Sequence, residues 1–149
     1  MFARATIPAG TVVSRLGGRL VSGDELRQLF ADSDGTYVDT IIVGEDTHLV
    51  LPPRQDIGYG NHGCDPNIWW IGAYELAARH DLTPGEELTN DYATSTGDPA
   101  FTLLCHCGSS MCRGTVTGRD WQRPELQARY GTHWVPALLN RINGGALKG

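Results

Sequence analysis

The chain has 149 residues, 40% of them hydrophobic and 19% charged, with a net charge of −5; that is enough for one domain with a real core and not comfortably two. The negative balance argues against a nucleic-acid partner held by phosphate neutralisation, and no apolar run is long enough to span a bilayer. Nineteen glycines and eight prolines predict short elements joined by many turns, not a helix bundle. The opening MFARATIPAG lacks the apolar core of a signal peptide, so the expected location is intracellular, cytoplasmic or nuclear, where thiols stay reduced.

In chain order, residues 4–7 and 11–13 read as short strands around the turn chemistry of Pro8-Ala9-Gly10. Ser22-Gly23-Asp24-Glu25 reads as a helix start, with Leu26, Leu29 and Phe30 on one face. Residues 37–43 and 47–51 are rich in β-branched and aromatic side chains and predict two strands around Gly44-Glu45-Asp46. Residues 57–67 carry turn formers throughout and predict an irregular loop. Residues 68–78 predict another strand region, and Asp81 to Thr89 a turn leading into a short strand. Residues 121–130 and 135–142 predict helices, and the glycine-rich tail from Gly144 predicts fraying.

The four cysteines can be placed around one metal ion. Cys105, Cys107 and Cys112 form a C-x-C-x(4)-C cluster, and Cys64 stands alone upstream in Asn61-His62-Gly63-Cys64-Asp65-Pro66-Asn67. Zinc favours tetrahedral thiolate ligation, and a closed four-sulfur site has no open position for a substrate, so it is structural. Two disulfides are the rival reading; C-x-C spacing and a reducing compartment disfavour it.

Three segments in order, Asn61-His62-x-Cys64-x-Pro66-Asn67, then Gly85-Glu86-Glu87-Leu88-Thr89-Asn90-Asp91-Tyr92, then the cysteine cluster followed by Arg113-Gly114, resemble the SET-domain protein-lysine methyltransferases with a post-SET zinc motif. The resemblance runs from Phe2 to Gly114 and is weakest between residues 15 and 55. It implies a mostly β fold with short helices: the SET arrangement of small curved sheets with a knot-like C-terminal segment. It divides the chain into a SET domain at 1–100, a post-SET zinc segment at 101–117 and a helical extension at 118–149.

The implied activity is methyl transfer from S-adenosylmethionine to the side-chain amine of a lysine in a protein or peptide, histone or otherwise. No direct nucleic-acid or membrane partner is expected. The donor is a co-substrate, and one Zn2+ is structural. Tyr92 is the expected catalytic residue, its neutral phenol orienting methyl donor and amine. Asn61, His62, Tyr37 and Tyr92 are expected at the cofactor, and Cys64, Cys105, Cys107 and Cys112 at the metal. His62 is expected to act by ring packing and backbone, and one of His106, Leu104 or Trp121 is a candidate for packing on the adenine. Glu86 and Glu87 are not read as an acid/base pair, because neighbours on a strand face opposite ways, and Asp91 reads as a structural hydrogen-bond partner.

Three departures stand out. The family carries a G-x-G turn just before the Phe-Ala segment, and this chain begins Met1-Phe2-Ala3, after it. Gly58-Tyr59-Gly60 stands where the family often has Arg-Phe-(Ile/Val), and Asn90 stands where a Phe or Tyr often limits how many methyl groups fit. The missing turn supports an alternative: a zinc-stabilised SET-like binding module, catalytically weak or inactive. Retention of Tyr92, Asn61 and His62 opposes it.

Overall fold

A computed structural model of the chain describes residues 1–36, 38–52 and 60–148, with backbone alone for 145–148. Its strands, in chain order, are β1 (Val12–Arg15), β2 (Arg19–Ser22), β3 (Thr40–Gly44), β4 (Thr47–Val50), β5 (Asn61–His62), β6 (Ile68–Trp70), β7 (Glu75–Ala78), β8 (Thr89–Asn90), β9 (Thr102–Leu104) and β10 (Thr115–Thr117). Its helices are α1 (Gly23–Asp32), α2 (Pro124–Tyr130) and α3 (Pro136–Lys148). The mostly β architecture with short helices is the one expected. No helix among the described residues is long and apolar enough to cross a membrane.

Four small sheets result among the described residues. Two are antiparallel with orders β1-β7-β6 and β2-β4-β3; β9 and β10 form an antiparallel pair; β5 and β8 form a parallel one. The opening segment makes isolated bridges, Phe2 to Glu87 and Ile7 to Leu82, in place of the expected strand at 4–7. The ladder stops at Ile7 because Pro8 has no N–H to donate. Residues 68–78 make a hairpin of β6 and β7, turning at Gly72, whose φ of +118° suits glycine.

Helix α1 begins where expected. Ser22 Oγ accepts from the Glu25 N–H at 3.2 Å and Glu25 Oε2 accepts from the Ser22 N–H at 2.7 Å, a reciprocal capping box. Its apolar face differs from expectation: Leu26 is buried, but Phe30 is 46% exposed and turned to a large cavity. The helix predicted at 121–130 is broken into a 3-10 turn, Asp120–Gln122, and α2, which starts at Pro124. Proline suits the first helical position but cannot donate further in. The glycines of the tail do not stop α3, which runs to Lys148.

The described residues share one hydrophobic core. Trp70, Ile68 and Leu82 from the body pack in the same cluster as Leu126, Tyr130, Trp134, Val135 and Leu138 from the C-terminal helices. The Trp69 ring lies flat on His133, centroids 3.5 Å apart, and fixes the outer side of that junction.

Candidate active site

The parallel pairing of β5 with β8 builds the site. Asn61 lies opposite Thr89 and His62 opposite Asn90, which brings the Asn-His segment beside the turn that begins at Tyr92. Strand β5 falls where a loop was expected, being too short for any side-chain period to announce it, and β8 falls at the end of the segment expected to lead into a short strand. Gly63 makes the close approach possible, since a Cβ there would lie 2.8 Å from Thr89 Oγ1. Asn67 staples the same junction: its Nδ2 donates to the Glu87 carbonyl at 2.7 Å and its Oδ1 accepts from the Thr89 N–H at 2.9 Å.

Tyr92 opens a 3-10 turn, Tyr92–Thr94, capped by Asp91, whose Oδ1 accepts from the Ala93 N–H. The Tyr92 hydroxyl donates to the Gly60 carbonyl at 2.7 Å. Its backbone N–H donates to His62 Nδ1 at 3.1 Å, and the two rings meet edge-on at 5.4 Å. Because Nδ1 accepts, the proton of neutral His62 sits on Nε2, 3.3 Å from Cys64 Sγ. Burial lowers the pKa of His62 against the opposing pull of Asp91, so the ring acts as a neutral bridge between the tyrosine turn and the sulfur cluster.

The Sγ atoms of Cys64, Cys105, Cys107 and Cys112 all lie within 4.8 Å of one another. Zinc–sulfur bonds of about 2.3 Å place tetrahedral sulfurs roughly 3.8 Å apart, and Cys64 and Cys105 are 3.8 Å apart. The donor set and its spacing therefore fit a tetrahedral metal. The β9–β10 pair clamps the base of the cysteine loop, and the Cys105 N–H donates to the Gly114 carbonyl at 2.8 Å. Burial pushes the Cys105 thiol up to about 12. At Cys107 burial is outweighed by backbone hydrogen bonds, and the thiol falls to about 7.

Beneath the site lies an ion network. Asp91 is 1% exposed and accepts two hydrogen bonds from Arg113, at 2.7 and 2.8 Å, and one from the Tyr130 hydroxyl at 2.7 Å. Burial alone would raise its pKa; the hydrogen bonds and charge of Arg113, with Tyr130 and Ala93, more than offset this and hold it below the ordinary carboxylate value. Arg113 Nε also donates to Asp120 at 3.1 Å. The structural role expected of Asp91 is thus visible, with partners that the motifs did not name.

Two cavities flank Tyr92. A cleft of about 460 Å³ is lined by Asn61, His62, Glu87, Leu103, Leu104 and His106, among others, a size typical of small-molecule sites. A larger cavity of about 940 Å³ is lined by Leu16, Phe30, Ile42, Trp70 and Asn90, among others. Among the described residues, Tyr92 alone lines both.

Of the expected site residues, Asn61, His62 and Tyr92 meet at the cleft, and the four cysteines converge beside it. Tyr37 and Gly58-Tyr59 lie outside the described residues. His106 and Leu104 face the cleft, with Leu104 73% exposed, whereas Trp121 does not line it. Glu86 and Glu87 do separate work: Glu86 Oε2 accepts from the Thr83 N–H at 3.0 Å, and Glu87 Oε1 accepts from Asn61 Nδ2 at 2.7 Å at the cleft edge. Glu87, Arg113 and Tyr130 were not given roles from the sequence. Glu87 and Arg113 lay within the quoted motifs, whereas Tyr130 carried no signal there.

A family model, the SET domain, matches residues 1–93. The histone-lysine N-methyltransferase ash1 of Drosophila melanogaster is 28% identical over 132 residues, covering 82% of this chain and 6% of that protein. The methyltransferase flvH of Aspergillus flavus is 31% identical over 85 residues, 55% of this chain and 48% of that one. The crystal structure of the methyltransferase domain of human histone-lysine N-methyltransferase SETMAR superposes with a TM-score of 0.59 at 23% identity, over 74% of this chain and 51% of that one. That likeness speaks for the fold. The chain spans between 6% and 51% of the lengths of these three proteins.

Proposed function

The chain belongs to the SET-domain family, and from that premise we propose that it is an S-adenosylmethionine-dependent protein-lysine N-methyltransferase. The observation that carries the reading is the position of Tyr92, the one described residue that lines both the cleft and the larger cavity. A transfer between two reactants that enter from opposite sides needs a group at such a meeting point. We assign the cleft to the methyl donor and the larger cavity to the lysine side chain. Bound in the cleft, S-adenosylmethionine would supply a methyl group on a sulfonium centre.

The residues present fit that assignment. Asn61 and the Glu87 carboxylate form a polar edge that suits the charged end of the methionine portion, and Leu103 and Leu104 offer an apolar wall for a flat base. His106 stands beside that wall. Tyr92 is held at its backbone by His62 and at its hydroxyl by Gly60, so it enters the reaction oriented. Its role is to align the attacking amine, not to remove a proton as a strong base. The amine must be neutral to attack; a free lysine has a pKa of about 10.4, and apolar walls such as Ile42, Leu51 and Trp70 lower it by desolvation.

The four cysteines would hold one structural Zn2+, deprotonated on binding, with no step of the reaction at the metal. On this reading residues 1–100 form the SET body, 101–117 the metal-bound wall and 118–149 a helical extension, acting on lysine-containing proteins inside the cell. Histone substrates are the first to try, given what ash1 and SETMAR are named for.

The test is a methyl-transfer assay against lysine-containing proteins, with wild type and Tyr92→Phe compared. Loss of kcat by about 100-fold, the scale of one oriented transition-state contact, is expected, with zinc content unchanged. Equal rates in the two proteins would remove Tyr92 from the mechanism. A wild type that transfers nothing but keeps its zinc would leave a binding module.

A further inference from the structure

The network around Asp91 reaches beyond the region that the family model covers, which ends at residue 93. Tyr130, the last residue of α2, is 1% exposed, and its hydroxyl donates to Asp91 Oδ2 at 2.7 Å. The other carboxylate oxygen of Asp91 accepts from the Ala93 N–H at 3.0 Å and so caps the turn that presents Tyr92. At the far end of the same turn, the Thr94 carbonyl accepts from the Val135 N–H at 3.0 Å.

The residue before Tyr130 holds the opposite wall. Arg129 Nη1 donates to the Cys64 carbonyl at 2.9 Å. Successive residues on a helix diverge by about 100°, which lets neighbouring side chains of α2 reach the Tyr92 turn and the Cys64 loop separately. Packing alone does not call for the Tyr130 hydroxyl. The ring already meets Trp134 edge-on at 5.7 Å, and a phenylalanine would fill the same space. A buried hydroxyl without a partner is costly, so its aim at a single buried carboxylate is what justifies it. Burial, reinforced by Asp91, raises the pKa of the phenol and keeps it a donor.

We propose that Tyr130, in the segment that follows the cysteine cluster, is a positioning residue of the active site, acting through Asp91 on the turn that presents Tyr92; the proposal rests on the transferase reading above.

The experiment uses the full zinc-loaded chain, assayed well below its melting temperature. Tyr130→Phe is expected to lower kcat about tenfold, the factor that one hydrogen bond to a charged group is worth, while KM for S-adenosylmethionine stays within about twofold. Added to Tyr92→Phe it is expected to cause no further loss, because residues acting through one another are not additive. A second readout needs no activity: amide exchange at Ala93 should quicken about tenfold relative to Leu49 in β4. Leu138→Ala, a core change outside the hydrogen bonds of Asp91, should lower stability without either effect. An unchanged kcat with unchanged exchange at Ala93 overturns the proposal, as does an equal kcat loss in Leu138→Ala or a full further loss in the double variant. If wild type transfers no methyl group, the transferase reading fails, and exchange at Ala93 then decides alone whether Tyr130 sets the turn.

Discussion

The sulfur cluster and the Asp91 network each tie the body of the chain to its C-terminal part, the first through Cys64 and the second through Asp91, by opposite means. The cluster reaches the rim, with Cys107 exposed and Cys112 half-buried, and on the proposed reading its strength would come from an ion that can be taken away. The network sits in the core, where the side chains of Arg113 and Asp91 are 6% and 0% exposed, and it needs nothing but the chain. Arg113 belongs to both: its backbone N–H donates to Cys64 Sγ at 3.4 Å while its guanidinium grips Asp91. The difference teaches that the cleft wall and the Tyr92 turn have separate supports joined at one residue.

Metal removal is the strongest way to separate them. A chelator is expected to abolish methyl transfer by dissolving the wall around Cys105 to Cys112, because structural zinc is folding free energy, while the near-ultraviolet signal of core tryptophans Trp70 and Trp134 largely survives. Loss of both together would mean that the two supports are one. Next in size is Arg113→Met, which strands a buried carboxylate and is expected to cost about 3–5 kcal/mol of stability in denaturant titration. A cost near zero would show that Tyr130 and water suffice for Asp91.

Acid gives a gentler separation. The pKa of Asp91 is depressed in the folded protein, so its contribution is fully present above its unfolded value of about 3.9 and is lost as pH falls through the lower folded value. Thiolates ordinarily protonate near pH 8.5, and metal ligation opposes this only until acid competes. A descending pH titration should therefore release zinc, read with a chromophoric chelator, before the core signal collapses below about pH 4. Simultaneous loss would contradict separate supports.

The half of the site that was legible in the sequence is the half written in local motifs. The spacing of Cys105, Cys107 and Cys112 constrains a metal loop by itself, and Asn61-His62 and Asp91-Tyr92 are contiguous signatures. Tyr130 was not legible because it reads as an ordinary core aromatic, one turn after Leu126. Only tertiary packing aims its hydroxyl. Glu87 was set aside as half of a carboxylate pair, and its place at the cleft edge follows from a partner 26 positions away, Asn61. Phe30 was placed with Leu26 and Leu29 on one helix face; the structure turns it to a cavity, which periodicity cannot distinguish from a packed neighbour.

The contact between Asp91 and the C-terminal helices also sets an order of events during synthesis. A ribosome that has released residues 1–93 has made Asn61, His62 and Tyr92, yet neither Arg113 nor Tyr130 exists to receive Asp91. The carboxylate must stay hydrated until chain 22 and 39 positions downstream arrives. Closing such long loops late is slow, and until then the nascent body carries its tyrosine on an unsupported turn. The support of the Tyr92 turn is thus completed only once residue 130 has joined the fold.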